Sequence, residues 1–184
     1  VQMKKSIQQL GFCILMVVAG SSMLRAQQSS ISNNLAVGFQ LTQIHRDFGF
    51  GLNFTSPYFI HDNLAVRVRG NMMFFEHIDE GEYTWTPYSN FTVGIIGYGA
   101  TIANLIRLYG EGGIIGLLPS DKFSSESISI GGYGLFGFEF YFFERGNYFI
   151  EIGGSGTGGR ADKIAANPIY SNGFTINVGF RFHL

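Results

Sequence analysis

The sequence predicts an all-β fold in which eight antiparallel strands close into an up-and-down barrel, preceded by a helical signal peptide. Three observations lead to this prediction. From Leu35 onward apolar residues recur with a period of two, which is typical of strands with one apolar face. Along the chain, short connections between these stretches mostly alternate with long ones. The chain also has 26 Gly and 19 Phe but only 14% charged residues, against roughly 25% in soluble domains.

The first 26 residues have the layout of a secretory signal peptide. Two lysines follow Met3, and the apolar run that comes next, from Leu10 to Ala19, is shorter than the ~20 residues that a membrane-spanning helix needs. We therefore predict a signal peptide over residues 1–26, with two extra residues before Met3, and a barrel over residues 27–184. The cleavage site is expected after Ala26, with two earlier alternatives, Ala19 and Ser22.

Composition excludes several classes of protein. The only cysteine, Cys13, lies inside the predicted signal peptide, so the mature chain has no disulfide framework, thiolate metal site or cysteine nucleophile. The chain has 13 acidic and 12 basic residues, and three of the basic ones belong to the signal peptide. The mature chain is therefore acidic and lacks the basic stripe of a nucleic-acid-binding protein. We expect no metal and no other cofactor.

Each alternating stretch supplies about the 9–11 residues that a tilted strand needs to cross a bilayer. In every one, apolar residues hold one parity while small, polar or charged residues hold most of the other. In chain order, the stretches are LAVGFQLT (from Leu35), FGFGLNFT, LAVRVRGNMMF, FTVGIIGYGAT, LIRLYGEGGIIGLL, ISIGGYGLFGFEFYF, NYFIEIGG and GFTINVGFRFHL.

The connections alternate in length. Short turns, HDN, AN and ERGN, follow the second, fourth and sixth stretches, and longer segments, FEHIDEGEYTWTPYS, PSDKFSSES and GTGGRADKIAANPIYSN, follow the third, fifth and seventh. The first connection, IHRD, is short and departs from the trend. Short turns at one end and long loops at the other are typical of barrels that span an outer membrane. Closure is required there, because lipid cannot satisfy the backbone groups of an open sheet edge.

The sequence also resembles a known group of proteins. The final FTINVGFRFHL is similar to the C-terminal assembly signal of outer-membrane barrels, with Leu184 where an aromatic residue is usual, and residues 35–184 resemble small eight-stranded barrels of the OmpA/OmpX type. HDNLAVRVRG, LYGEGG and GFEFYF resemble barrel-domain proteins of Bacteroidetes-type outer membranes. The resemblance implies a Gram-negative outer membrane, contact with membrane lipid and lipopolysaccharide, and recognition by the assembly machinery. The implied signal residues are Phe174, Ile176, Val178, Phe180, Phe182 and Leu184.

Charged residues lie on the parity opposite to the apolar face. Because a charged side chain facing lipid is costly, we expect them in the lumen. Eight strands enclose just enough space for side chains to fill, so Arg–Glu pairing predicts a plug, with a narrow polar conduit as the alternative. The predicted lumen network consists of Arg67, Arg69, Arg107, Arg181, Glu111, Glu139 and Glu151.

The segment FEHIDEGEYTW is predicted to be an acidic extracellular loop. Its oxygen ligands could in principle hold a divalent cation, but their spacing does not match an EF-hand. Rings near strand ends, Tyr83, Trp85 and Tyr88 at one end and Phe142, Phe143 and Tyr148 at the other, favour interfacial girdles, with adhesion through the first group as the alternative. The loop residues singled out are Glu76, His77, Asp79, Glu80, Glu82 and Trp85.

No motif predicts catalysis, because the four histidines are scattered and none has a serine in a hydrolase context. We therefore expect a monomeric structural or cell-surface interaction protein with an unidentified surface partner. Two alternatives remain: a small transport barrel for small or hydrophobic solutes, and a soluble lipocalin-like binder. A lipocalin-like barrel would place the apolar residues inside and the charges outside, and the periodicity is the same in both cases.

Overall fold

A computed structural model describes residues 33–79, 81–103, 105–143 and 145–184. The predicted signal peptide and its cleavage site lie outside the described residues. The described chain forms eight antiparallel strands in sequence order, and the first pairs with the last, so the predicted fold class is confirmed. The strands are β1 (Ala36–Ile44), β2 (Asp47–Thr55), β3 (Leu64–Asp79), β4 (Glu82–Ile102), β5 (Ile106–Leu118), β6 (Ser129–Phe143), β7 (Gly146–Gly156) and β8 (Gly173–His183).

The terminal strand β8 is held on both sides. It pairs with β7 along one edge and with β1 along the other, from Ala36 opposite His183 to Ile44 opposite Thr175. The amide of Leu184 donates to the carbonyl oxygen of Leu35 at 2.9 Å. The backbone groups that an open sheet would leave unpaired are therefore satisfied within the protein.

The two faces of the barrel have inverted polarity compared with a soluble protein. In β2 the outward residues Phe48, Phe50, Leu52 and Phe54 are all exposed, while the residues between them are buried. Guanidinium groups lie on the inner face, where Arg67 is fully buried. A lipocalin-like barrel requires the opposite arrangement, so the structure contradicts that alternative.

The predicted loop between the third and fourth strands is wrong: the segment forms a paired ribbon. β3 and β4 stay in register as far as Asp79 opposite Glu82, because the period of two continues through the acidic residues. Gly81, with φ of 90°, permits the tight turn. Phe74 is the last β3 residue paired with β2, so β3 runs five residues further, roughly 16 Å at ~3.3 Å per residue.

The residues assigned to that loop therefore lie in strands. Glu76, His77 and Asp79 belong to β3, and Glu82 and Trp85 belong to β4. Glu80 lies outside the described residues. His77 is buried on the inner side of the ribbon, where its ring stacks on Phe75 at 5.2 Å between centroids.

One aromatic residue of the girdle predicted from Tyr83, Trp85 and Tyr88 points inward. Tyr88 has the inner parity of β4 and is buried, whereas Tyr83 and Trp85 have the outer parity and are exposed. At the opposite rim a register shift after Tyr141 leaves Phe142 and Phe143 both exposed, beside Tyr148.

The two other long connections are loops, residues 119–128 and 157–172, and they lie at the same end as the ribbon. Asn33, Leu184 and the turns that follow β2, β4 and β6 lie at the other end. The barrel thus has a plain end and an elaborate end.

Candidate functional site

The structure places all seven charged side chains predicted for the lumen inside the barrel, where they form one connected group that we call the charge network. They come from five strands because residues on the inner parity of β3 and β5–β8 converge on the barrel axis. Its members are Arg67, Arg69, Arg107, Glu111, Glu139, Glu151 and Arg181, all buried.

Glu151 is the centre of the network. Its two carboxylate oxygens accept hydrogen bonds from Arg67 at 2.7 Å, Arg69 at 2.9 Å and Arg181 at 2.8 Å. The hydroxyl of Tyr109 donates to the same carboxylate at 2.5 Å. Charge-assisted bonds of this kind are the strong ones in proteins, so this carboxylate joins β3, β5, β7 and β8 across the lumen.

The two other carboxylates extend the network in opposite directions. Glu111 accepts from Arg67 at 2.7 Å and is also paired with Arg69, toward the end that carries the loops. Glu139 accepts from Arg181 at 2.5 Å and lies toward the end with the short turns. Cations and anions thus alternate across the lumen at this level, held in ion pairs from one wall to the other.

Arg107 is the least paired member of the network. Its closest carboxylate oxygen, on Glu139, is 3.7 Å away. Its guanidinium lies 4.7 Å from the ring centroid of Tyr58 and 5.4 Å from that of Tyr141, so cation–π contacts take the place of hydrogen bonds. Four guanidinium groups face three carboxylates, and the excess positive charge lies at the plain end.

The sequence reasoning missed the neutral partners of the network. Each carboxylate accepts a hydrogen bond from a tyrosine. Each of these tyrosines has the same parity as the charged residues of its own strand, and this shared parity was the sequence signal that could have identified it. These pairs are Tyr109 with Glu151 at 2.5 Å, Tyr133 with Glu111 at 2.6 Å, and Tyr141 with Glu139 at 2.8 Å.

Glycines make room for these large side chains. Gly137 lies opposite Tyr109 in the β5–β6 register, and a Cβ at this position would overlap the tyrosine ring. Gly179 lies opposite Phe149, whose ring stacks 3.7 Å from the Arg181 guanidinium. The glycine positions therefore determine where the rings of the network can lie.

A second feature that sequence reasoning missed is an aromatic cap at the elaborate end, formed by Phe75, Tyr88, Phe123 and Tyr170. Phe123 and Tyr170 belong to the two loops and meet edge to face, with their centroids 5.0 Å apart. They pack against Phe75 and Tyr88 on the inner face of the barrel, with centroids 5.0–6.0 Å apart. All four side chains are buried, so the loops close the mouth of the lumen.

The two loops are joined to each other, and we call them together the double-loop lid (residues 119–128 and 157–172). The amide of Ser125 donates to Asp162 at 2.7 Å, and the Ser125 hydroxyl also donates to this carboxylate. These hydrogen bonds hold the pKa of the exposed Asp162 carboxyl below its usual value. Lys163 donates through its amide to the carbonyl oxygen of Phe123 at 3.1 Å and through Nζ to that of Asp121 at 2.7 Å.

One carboxylate attaches the lid to the barrel wall. Asp47, buried at the start of β2, accepts from the Tyr88 hydroxyl and from the amide of Ser171, each at 2.7 Å. Next to this attachment, burial raises the pKa of Tyr170 to about 12, so its hydroxyl stays neutral. The cap is thus an uncharged layer above the charge network.

The residues predicted for the assembly signal lie on the outer face of β8 and at its end. Phe174, Val178, Phe180 and Phe182 are exposed and Ile176 is partly buried, with Leu184 directly after the strand. Their role as an assembly signal stays a prediction.

The described residues contain neither a membrane-spanning helix nor a cluster of metal ligands. None of the helices in residues 33–184, as far as they are described, is long and apolar enough to cross a membrane. No three His, Cys, Asp or Glu side chains of these residues are grouped so that they could hold a metal ion.

Comparisons with known proteins identify the fold of the chain but no family. No family model matches the chain, and no curated protein matches it. Among solved structures, it is similar to the N-terminal β-barrel domain of OprF from Pseudomonas aeruginosa, with a TM-score of 0.58 and 12% identity over 84% of this chain and 100% of that one. It is also similar to the outer membrane protein OprG of the same organism, with a TM-score of 0.53 and 13% identity over 85% of this chain and 98% of that one. At these identities the likeness shows the barrel fold.

Proposed function

We propose that the chain is an integral outer-membrane barrel of a Gram-negative bacterium, with a closed lumen and a structural or interaction role at the cell surface. The inverted polarity of the barrel carries this proposal. Guanidinium groups of Arg67 and Arg181 are at most 1% exposed inside, while Phe54 and Val93 are about half exposed outside. Water would penalise this arrangement, whereas lipid favours it.

Strand dimensions support the same proposal. β1 and β2 have nine residues each, so at ~3.4 Å per residue and a tilt of ~40° they rise roughly 23 Å, which is about the height of the apolar band of such barrels. The fold of the OprF domain and OprG is consistent with it. We further propose that the monomer contacts membrane lipid and lipopolysaccharide, that assembly machinery recognises β8, and that the barrel has no catalytic activity.

Heat-modifiability and fractionation test the membrane proposal. The chain is expressed with its signal peptide, membranes are separated on a density gradient, and samples are run on a gel with and without boiling. We expect a band in the outer-membrane fraction whose mobility shifts on boiling, because a closed barrel resists detergent. A soluble periplasmic product would contradict the proposal.

Transport through the lumen is the competing function, and the charge network and the cap both oppose it. Arg67 pairs with Glu111 and Glu151 at 2.7 Å each, and Glu139 lies 2.5 Å from Arg181 and 3.5 Å from Arg67. We expect no single-channel conductance from the native barrel in planar bilayers, and measurable conductance when Arg67→Ala or Glu139→Ala is combined with Tyr170→Ala, which opens the cap. Stable openings of the native protein would favour the transport function.

An interaction role is supported by the β3–β4 ribbon. Its outer face carries Ile78, Tyr83 and Trp85, which are 57%, 74% and 49% exposed beyond the rim of β2. Apolar side chains grouped on one projecting face are typical of contact surfaces. The chemistry of this face indicates an apolar patch on the partner.

The only tryptophan of the chain reports on this ribbon. If the outer face of the ribbon projects beyond lipid, then iodide in water quenches Trp85 fluorescence in reconstituted vesicles, and lipids brominated along the acyl chain do not. Strong quenching by bromines near the headgroups with weak quenching by iodide would assign the ring to the interfacial girdle instead.

A further inference from the structure

The lumen contains a small cavity between the charge network and the aromatic cap. We call this cavity the vestibule. It is a cavity of about 20 Å³, which is room for one water-sized group in the closed state. Amide and hydroxyl side chains make up most of its polar lining, among them Gln40, Asn71, Asn90, Thr92, Ser155 and Asn177. We propose that the vestibule is a binding site for a small uncharged molecule bearing hydroxyl groups, which enters when the double-loop lid moves away.

Unpaired polar atoms in the vestibule indicate a ligand. A chain of amide hydrogen bonds runs from Asn53 through Gln40 and Asn71 to Asn90, with donor–acceptor distances of 2.7–3.0 Å. It ends in the Nδ2 donor of Asn90, which has no hydrogen-bond partner among the described residues. Burying such a group without a partner costs free energy, so a chain that ends this way favours a molecule at its end.

Three more buried atoms, on residues that line the vestibule, lack a partner among the described residues. They are the Oγ1 of Thr92, the Oδ1 of Asn177 and the Nε of Arg69. Together with Asn90 the set offers both donors and acceptors. A hydroxyl group can serve both, because it donates one hydrogen bond and accepts others.

The vestibule favours an uncharged ligand. Arg69 is the only charged residue in its lining, and Glu111 and Glu151 already pair with that guanidinium. The excess positive charge of the network belongs to Arg107 at the opposite end of the barrel. An ion entering the vestibule would lose its hydration shell without meeting an unpaired opposite charge.

The two closures of the vestibule differ in kind, and this difference determines the direction of entry. Below the vestibule, the charge network consists of side chains on strands, held by ion pairs. Above it, the cap depends on two residues from loops, Phe123 and Tyr170, and the lid is attached to the wall through Asp47. The lid backbone lies outside the eight strands, and such segments open at lower free energy than a paired sheet, so entry occurs from the elaborate end.

Thiol labelling tests the vestibule and its lid. Because residues 27–184, the predicted mature chain, contain no cysteine, Thr92→Cys introduces a single thiol into the vestibule. Methyl methanethiosulfonate, which is small and neutral, is added to the purified barrel in detergent. We expect slow labelling with the native lid and at least tenfold faster labelling when Tyr170→Ala or Asp47→Ala is added.

The matched control is Asn147→Cys, a buried position on the other side of the charge network. The lid variants should leave its labelling rate unchanged. The boiling shift of each variant first establishes that the barrel is closed. If neither lid variant accelerates labelling at Thr92→Cys, or if both thiols accelerate equally, entry through the lid is contradicted.

Protection from labelling tests the ligand class. In the Leu135→Cys, Tyr170→Ala protein, whose thiol also lines the vestibule and which keeps Thr92, we expect glycerol to slow labelling at least threefold in a saturable manner, while sodium acetate at equal concentration has no effect. Protection by acetate alone would assign the site to anions, and no protection by either would make the vestibule a hydration site only. Each of these two results overturns the proposal. Because the assay uses detergent-solubilised protein, its outcome is independent of the membrane proposal.

Discussion

Removal of the charge on Glu151 should destabilise the barrel more than any other conservative change in the network. Glu151→Gln keeps the size of the side chain but leaves Arg67, Arg69 and Arg181 without their shared anion. The network then has four guanidinium groups and two carboxylates. Breaking a buried ion pair by removing one partner costs about 3–5 kcal/mol, because the remaining charge is buried without compensation.

The measurement is urea unfolding of the refolded barrel in lipid vesicles, followed by the boiling shift. With an m value of about 2 kcal/mol/M, a loss of about 4 kcal/mol lowers the midpoint by roughly 2 M. The control is Glu82→Gln at the exposed tip of the ribbon, expected to change the free energy of unfolding by less than about 0.5 kcal/mol. A loss below about 1 kcal/mol for Glu151→Gln would refute the reasoning, because it would mean that water or a relaxed side chain compensates the three guanidinium groups.

Two further predictions use matched pairs of positions. Gly137→Ala places a methyl group against the Tyr109 ring and should lower the free energy of unfolding by about 1–3 kcal/mol. The control is Gly110→Ala, whose added methyl group meets nothing within 4 Å and should leave the free energy of unfolding nearly unchanged. Equal effects of the two substitutions would contradict the packing argument. Val93→Arg and Ile78→Arg replace outward side chains of similar exposure, 54% and 57%, at different heights. We expect a loss of about 2–4 kcal/mol at Val93 and about 0–1 kcal/mol at Ile78 from the same unfolding assay in vesicles, because the cost of a lipid-facing arginine depends on depth. Similar losses at both positions would argue against a membrane belt.

Much of the fold could be read from the sequence because the pleat has a strict period. Phe48, Phe50, Leu52 and Phe54 alternate with small and polar residues, and a one-residue slip would exchange the two faces. The same parity placed Arg67 and its partners on one face. The end of the ribbon was missed because its alternation uses acidic residues and threonine, which carry a weak apolar signal.

The lid could not be predicted in this way. Phe123 and Tyr170 are single aromatic residues within polar loops, and no periodicity distinguishes a ring that turns into the lumen from one that lies on the surface. The attachment through Asp47 joins residues 124 positions apart in the sequence. Such contacts follow from the path of the loops over a closed barrel.

The sequence by itself determined the strand number, the alternation of faces and the set of charged residues that share the inner parity, because these depend on local period and composition. Only the tertiary structure decided which side is the inside, which carboxylate is shared by three guanidinium groups, and where the lid meets the wall. Parity is a property of neighbours along one strand. Pairing across the lumen depends on the shear and closure of all eight strands, which bring residues distant in sequence to the same height on the barrel axis.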